Sequence, residues 1–321
     1  MIGSFLIGIN EANRSWKMIM LLLAANILIS LPIVVPIFLL IVFTSGGTLA
    51  ADRLMADKLD VVWLTDLFNH QFPGAALETV ASQVGILLAV TGVGYLLLNT
   101  LFAGGVIGVL NSADGWFTMR KFWSEGGAHF WRFFRLMLIS LIFYGVAIGI
   151  YALLRWPIED AAEEASAFES VIYKRWAAMA LLALMFAFVN MVFDYAKIST
   201  VIHNTRGMFR ETFRALRFAF RNFFSAFALY LIIALLGLVV FLTFNSLRWS
   251  VDQSSAPNVL LAILLGQIVI AGRMWNRLVF YAAEMYLYKK LSPITATAHV
   301  VEPQLEFAKA EAPDTPEAQA G

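Results

Sequence analysis

"LLALMFAFVNMVFDYAKISTVIHNTRGMFRETFRALRFAFRNFF", residues 181–224, joins a continuous apolar run to a polar and basic segment. A transmembrane β-strand would alternate polar and apolar residues over roughly 10 positions, and the start of this segment does not. A run of about 20 apolar residues can cross roughly 30 Å of hydrocarbon as an α-helix. The segment therefore predicts a membrane-spanning helix that ends among charged residues.

The whole chain has the composition of an integral membrane protein. Of its 321 residues, 60% are hydrophobic and 14% are charged, and its mean hydropathy is +0.75, outside the usual range of soluble domains. The 23 Lys and Arg nearly balance the 22 Asp and Glu, so no overall basic field favours nucleic acid. There is no cysteine and the four histidines are far apart, so we expect neither a metal site nor a cofactor.

Apolar runs of spanning length occur six times along the chain. They predict an all-α fold, a polytopic membrane bundle of six transmembrane helices in three hairpins, with amphipathic helices on the cytoplasmic side. The spans are placed at residues 18–43, 84–110, 133–154, 177–203, 225–244 and 258–288. Residues 1–291 would form this domain. Residues 292–321, rich in Ala, Pro and Glu, are predicted to be a disordered cytoplasmic tail.

The distribution of Lys and Arg predicts the orientation. Most of them lie at the two ends of the chain and in the connections 111–132 and 204–224. Cytoplasmic loops carry this excess, so both termini are expected in the cytoplasm. A basic and aromatic phrase precedes each odd-numbered span, as "NRSWK", "HFWRFFR" and "RNFF", and indicates the three hairpins. The alternative is that such phrases only anchor each span at the interface.

An aspartate lies within the fourth span. Asp194 would sit in the inner half of the bilayer, where a carboxylate costs roughly 2.5–3.5 kcal/mol unless it is paired or faces water. Each even-numbered span carries a polar residue at a similar depth, so we predict a buried polar cluster that binds or conducts an ion, a proton or a lipid head group. Its members are Asn99, Asn190, Asp194, Lys197, Arg273, Arg277 and Glu284. The alternative is a buried ion pair, or arginines that reach the interface, with no ligand.

A stripe of five arginines follows the fourth span, with spacings of 4, 4, 3 and 4 residues. At about 100° per residue they fall within roughly 80° of a helix, beside a Phe-rich face. This pattern predicts an amphipathic helix on the cytoplasmic surface whose arginines bind lipid head groups. The arginines are Arg206, Arg210, Arg214, Arg217 and Arg221. The alternative is that the stripe only enforces topology and anchoring.

The motifs of phosphate loops, zinc proteases and nucleophile elbows are absent, so enzyme activity is the least supported class. The "DYA" of residues 194–196, which leads into a basic amphipathic helix, resembles uncharacterised bacterial six-helix membrane proteins. More remotely, the chain is similar to the membrane domain of some glycerophosphoryl diester phosphodiesterases, without their catalytic barrel. The resemblance implies a bacterial inner-membrane location and no established function.

Two functions follow as hypotheses. The first is a transport-type or lipid-handling protein that uses the polar cluster. The second is a non-catalytic membrane subunit or scaffold. The partners expected are membrane lipids, anionic ones above all, and a membrane-protein partner or a second copy of the chain. No nucleic acid is expected.

Overall fold

The protein is an all-helical bundle. A computed structural model describes residues 2–45, 75–112, 116–164, 168–251 and 256–292, and the regular elements in these ranges are all helices. They are α1 Ile2–Arg14, α2 Trp16–Ser45, α3 Ala75–Asn111, α4 Met119–Glu164, α5 Phe168–His203, α6 Met208–Arg221, α7 Phe223–Ser250 and α8 Ala256–Leu291. Six of them, all except α1 and α6, are long and apolar enough to cross a membrane. The predicted polytopic helical bundle is confirmed. The proposed tail lies outside the described residues apart from Ser292.

The helices are longer than their predicted spans. α4 has 46 residues, roughly 70 Å at 1.5 Å per residue, more than twice the thickness of the hydrocarbon. The connection expected over residues 111–132 is therefore mostly helix, from Met119 onward. Glycines of α3 explain the close packing of this extension, since a Cβ on Gly108 would lie 2.5 Å from the Glu125 Cβ.

The packed core lies at one end of the bundle, where α1 and α6 surround the ends of the spans; we call this the α6 end. The largest fully buried side chains of the core include Phe122, Phe133, Tyr195, Ile198 and Leu287. Toward the other end, the spans expose large apolar side chains such as Leu28, Val93, Ile148 and Leu264. Lipid tails are as apolar as these side chains, so no force drives them inward in a membrane.

The N-terminal helix α1 was not predicted as a separate element. It packs along α8 with one small-residue face, formed by Ser4, Gly8 and Ala12, which are all buried. A Cβ on Gly8 would lie 2.7 Å from the Ala283 Cβ. At the end of α1 the indole nitrogen of Trp275 donates a hydrogen bond to the Asn13 Oδ1 over 2.8 Å. Close backbone contact therefore fixes α1 against α8.

Candidate functional site

A cavity of about 110 Å³ lies between α3, α4, α5 and α8. Its apolar walls include Phe133, Leu136 and Phe193. Its polar lining comes from four helices: Asn99, Thr100, Ser140, Tyr144, Asn190, Lys197 and Arg277. We call it the polar cavity. The sequence-predicted residues Asn99, Asn190, Lys197 and Arg277 thus line one space.

Hydrogen bonds between helices hold the polar cavity in shape. Arg277 of α8 donates to the Asn99 Oδ1 of α3 and, over 3.1 Å, to the hydroxyl of Tyr281 on its own helix. Tyr144 of α4 donates to the Asn190 Oδ1 of α5 over 2.6 Å. The Arg277–Asn99 and Tyr144–Asn190 bonds each join two spans. Arg277 is therefore held in place before any ligand binds.

The polar cavity carries an excess of positive charge. Lys197 and Arg277 line it, and the described lining residues include no carboxylate. Asp194 lies beside it and accepts a hydrogen bond from the Lys197 Nζ over 2.8 Å. Arg277 forms no ion pair within the described part of the chain. Arg277 is a half-buried cation with neutral hydrogen-bond partners and with Asp194 nearby but not in contact, and such a cation favours an anionic ligand.

Two predicted members of the cluster lie elsewhere. Arg273 is exposed and does not line the cavity, whereas its neighbour Met274 belongs to the main buried cluster. Glu284 is fully buried toward the α6 end, and neither of its carboxyl oxygens has a hydrogen-bond partner among the described residues. The buried hydroxyl of Tyr195 also lacks a partner there. Arg273 and Glu284 are outside the lining of the polar cavity, and their part in a functional polar cluster stays a prediction.

Several residues of the site were missed by the sequence analysis. Thr100, Ser140 and Tyr144 contribute hydroxyls to the polar cavity. Asn26 of α2 lines a small neighbouring pocket with Asn99 and Arg277. The prediction was limited to amide and charged residues on the even-numbered spans. Including every polar residue in the middle of any span would also have found these residues. In the described ranges, no three His, Asp or Glu side chains could hold a metal ion.

Helix α6 carries the arginine stripe, and it has three faces instead of the two predicted. One face is buried against the bundle and consists of Met208, Glu211, Thr212, Ala215 and Ala219. A second exposes Phe209, Phe213 and Phe220. The third exposes Arg210, Arg217 and Arg221, and Arg206 lies exposed just before the helix. Two exposed faces, aromatic and basic, suit a helix that meets a membrane interface along one side.

One arginine of the stripe has a structural contact. Arg214 donates to the Glu211 Oε1 over 2.7 Å, and the other Glu211 oxygen accepts from the hydroxyl of Ser199 over 2.7 Å. Ser199 in turn accepts a hydrogen bond from Tyr288 over 3.0 Å. This chain joins α5, α6 and α8. It accounts for the burial of Glu211 and removes Arg214 from the free basic surface.

The turn before α6 follows from its sequence. α5 ends at His203, and Asn204 has a φ of 47°, the left-handed conformation in which Asn commonly ends a helix. Arg132 of α4 donates to the Asn204 side chain. The turn directs α6 back along α5, so that Phe218 reaches the ring of Tyr195 at 4.9 Å between centroids.

Comparison of the chain with family models, with curated proteins and with solved structures finds no match. The resemblance to bacterial six-helix membrane proteins therefore stays a prediction, and the site has to be interpreted from its own chemistry. Six apolar helices make the chain an integral, multi-pass membrane protein.

Proposed function

We propose that the protein is a lipid-handling or transport-type membrane protein that binds an anionic group, of the phosphate kind carried by lipids, in the polar cavity. The observation that carries the proposal is Arg277, which lines the cavity and whose hydrogen bonds within the described residues go to the neutral groups of Asn99 and Tyr281. Lys197 lies in the same cavity. Charge-assisted hydrogen bonds from guanidinium and ammonium groups to phosphate are stronger than those between neutral groups.

The setting of the cavity supports a lipid over a nucleotide or a polar metabolite. The spans around it expose apolar side chains on their outer surfaces, where hydrocarbon would surround them. The exposed arginines and phenylalanines of α6 match an interface with anionic lipids. We also propose that both termini are cytoplasmic, on the basis of the Lys and Arg distribution, and that the protein lies in a bacterial inner membrane, as its resemblance to bacterial six-helix membrane proteins implies.

Ligand-induced stabilisation of the detergent-solubilised protein tests the proposal. Phosphatidylglycerol should raise the unfolding temperature and phosphatidylcholine should not, since a ligand that binds only the folded state stabilises it by about 2.7 kcal/mol at 100 times its Kd. Arg277→Gln should remove this effect. Arg273→Gln makes the same change of charge on the same helix at an exposed position, and it should retain the effect.

The outcomes separate lipid from small anion. An equal stabilisation by inorganic phosphate would assign the cavity to a free anion and favour transport of that ion. A phosphatidylglycerol effect that survives in Arg277→Gln would contradict the proposal. Lys197→Gln provides a second variant at the cavity, although its loss leaves Asp194 without its partner, so unfolding of the unliganded protein is measured alongside.

A scaffold or non-catalytic subunit is the second candidate function, and the exposed faces of α6 favour it. Under this proposal Arg210→Gln with Arg217→Gln weakens association with a membrane partner, measured by quantitative co-purification from native membranes. Arg214 is left unchanged because it holds Glu211. Unchanged recovery of every partner would count against the scaffold.

A further inference from the structure

An apolar groove runs along the seam between α4 and α5, beside the polar cavity. It has a volume of about 400 Å³, and one end is closed by α7. Its lining is Phe143, Val146, Ala147, Leu184, Met185, Phe188, Val189, Phe223 and Phe227. Val146 and Leu184 are exposed, so the groove opens sideways, toward the hydrocarbon in a membrane. We call it the seam groove.

The seam groove and the polar cavity lie on two sides of the same wall, formed by α4 and α5. On α4, Phe143 lines the groove and its neighbour Tyr144 lines the cavity. On α5, Val189 lines the groove and its neighbour Asn190 lines the cavity. The ring of Phe143 lies 5.4 Å from that of Phe193 across this wall. The hydrogen bond from Tyr144 to Asn190 lies in this wall, so one lipid can occupy both spaces only when this hydrogen bond opens. A cationic space and an apolar space therefore meet along one pair of helices.

A cationic space beside an apolar space matches the two parts of an anionic lipid, its charged head group and its acyl chain. Arg277 supplies charge for an anionic head group, beside the Lys197 that is paired with Asp194, and the groove next to them is lined almost wholly by apolar atoms. We propose that the seam groove holds an acyl chain of the same anionic lipid whose head group occupies the polar cavity. This inference rests on the proposed function, since the charge of the cavity determines which lipid is held.

The two spaces would contribute differently to binding. An acyl chain gains little by moving from the bilayer to an apolar groove, because both surroundings are hydrocarbon-like. The head group would therefore determine which lipid binds, and the groove would fix the position and direction of its chain. The inference predicts selectivity by charge together with a chain located between α4 and α5.

Photo-crosslinking from the acyl chain tests this inference. The protein in lipid nanodiscs receives phosphatidylglycerol with a diazirine in one chain, and labelled peptides are identified by mass spectrometry. Label is expected on the stretches 143–147 and 184–189. Leu184→Trp fills the groove and should lower that label by about tenfold. Leu181→Trp places the same ring on the same helix at an exposed position outside the groove lining, and it should leave the label unchanged.

A second variant and a stability measurement control for misfolding. Val146→Trp fills the groove from α4 and should reproduce the loss, and the unfolding temperatures of all variants are compared without added lipid. Label that is equal with a phosphatidylcholine probe, or unchanged in Leu184→Trp and Val146→Trp, would overturn the inference and indicate ordinary bilayer lipid. In that case an Arg277-dependent stabilisation by phosphatidylglycerol would leave the proposed function standing. Loss of that dependence would overturn both.

Discussion

Glu284 and Glu211 are two buried carboxyl groups with opposite surroundings. Glu284 is 0% exposed and has no hydrogen-bond partner in the described residues, whereas Glu211 is 1% exposed and accepts from Ser199 and Arg214. A buried polar group without a partner costs about 1–3 kcal/mol. Glu284→Met should therefore raise the free energy of unfolding by about that amount, measured by thermal unfolding in detergent.

Glu211→Met is the control for this prediction. It leaves Ser199 and Arg214 without their acceptor, so the protein should lose stability instead of gaining it. Destabilisation by both substitutions would mean that the Glu284 carboxyl has a favourable interaction in the folded protein. A stabilised Glu284→Met that also loses lipid binding would show that the unpaired carboxyl is retained for function.

Individual site residues were only partly predictable. Polar residues within a span are costly, which predicts Asn99, Asn190, Lys197 and Arg277, and these four line one cavity. Arg273 was chosen on the same ground but is exposed, because helical spacing gives the face of a residue and not the place where the neighbouring helix begins to cover it. Tyr144 and Ser140 were not predicted, because a hydroxyl group adds little to the free energy of inserting a span and therefore gives a weak sequence signal.

Helix α1 depends on one close contact that glycine permits. Gly8→Ala would place a Cβ 2.7 Å from the Ala283 Cβ, a distance that forces α1 away from α8. Gly3→Ala, on the same helix, meets nothing within 4 Å and should gain a few tenths to about 1 kcal/mol from helix propensity. We expect Gly8→Ala to speed limited proteolysis of the N-terminal segment and Gly3→Ala to leave it unchanged or slower. Equal rates would show that this contact does not hold α1.

The elements were predicted well where hydrophobic length identifies them. Six spanning helices follow from runs of apolar residues. Two features did not follow from the sequence: the extension of α4 before its predicted span, and the buried face of α6. Contacts with other helices determine both. Gly108 and Ala215 show this: small residues within a helix indicate a close neighbour but not which helix it is.

Across the whole molecule, the buried core and most of the exposed basic side chains lie at the same end of the bundle. The α6 end carries the buried core, the polar cavity and most of the exposed arginines, including Arg14, Arg120 and Arg135. The opposite end is loosely packed and exposes Trp156, Trp176 and Trp249, as expected for aromatic side chains at a second interface. The sequence indicated the two interfaces through charge, but it gave no sign that the packed core would lie at one of them.

The direction of this asymmetry across the membrane can be tested with single cysteines, because the chain has none of its own. Thr118 and Ser250 are both exposed and lie near opposite ends of the bundle, before α4 and at the end of α7. Lys and Arg concentrate on the side of Thr118, so the positive-inside rule places that side in the cytoplasm. A membrane-impermeant maleimide added to intact cells should therefore label Ser250→Cys, and it should label Thr118→Cys only after permeabilisation. The reverse pattern would invert the orientation, and the polar cavity would then draw its ligand from the outer leaflet.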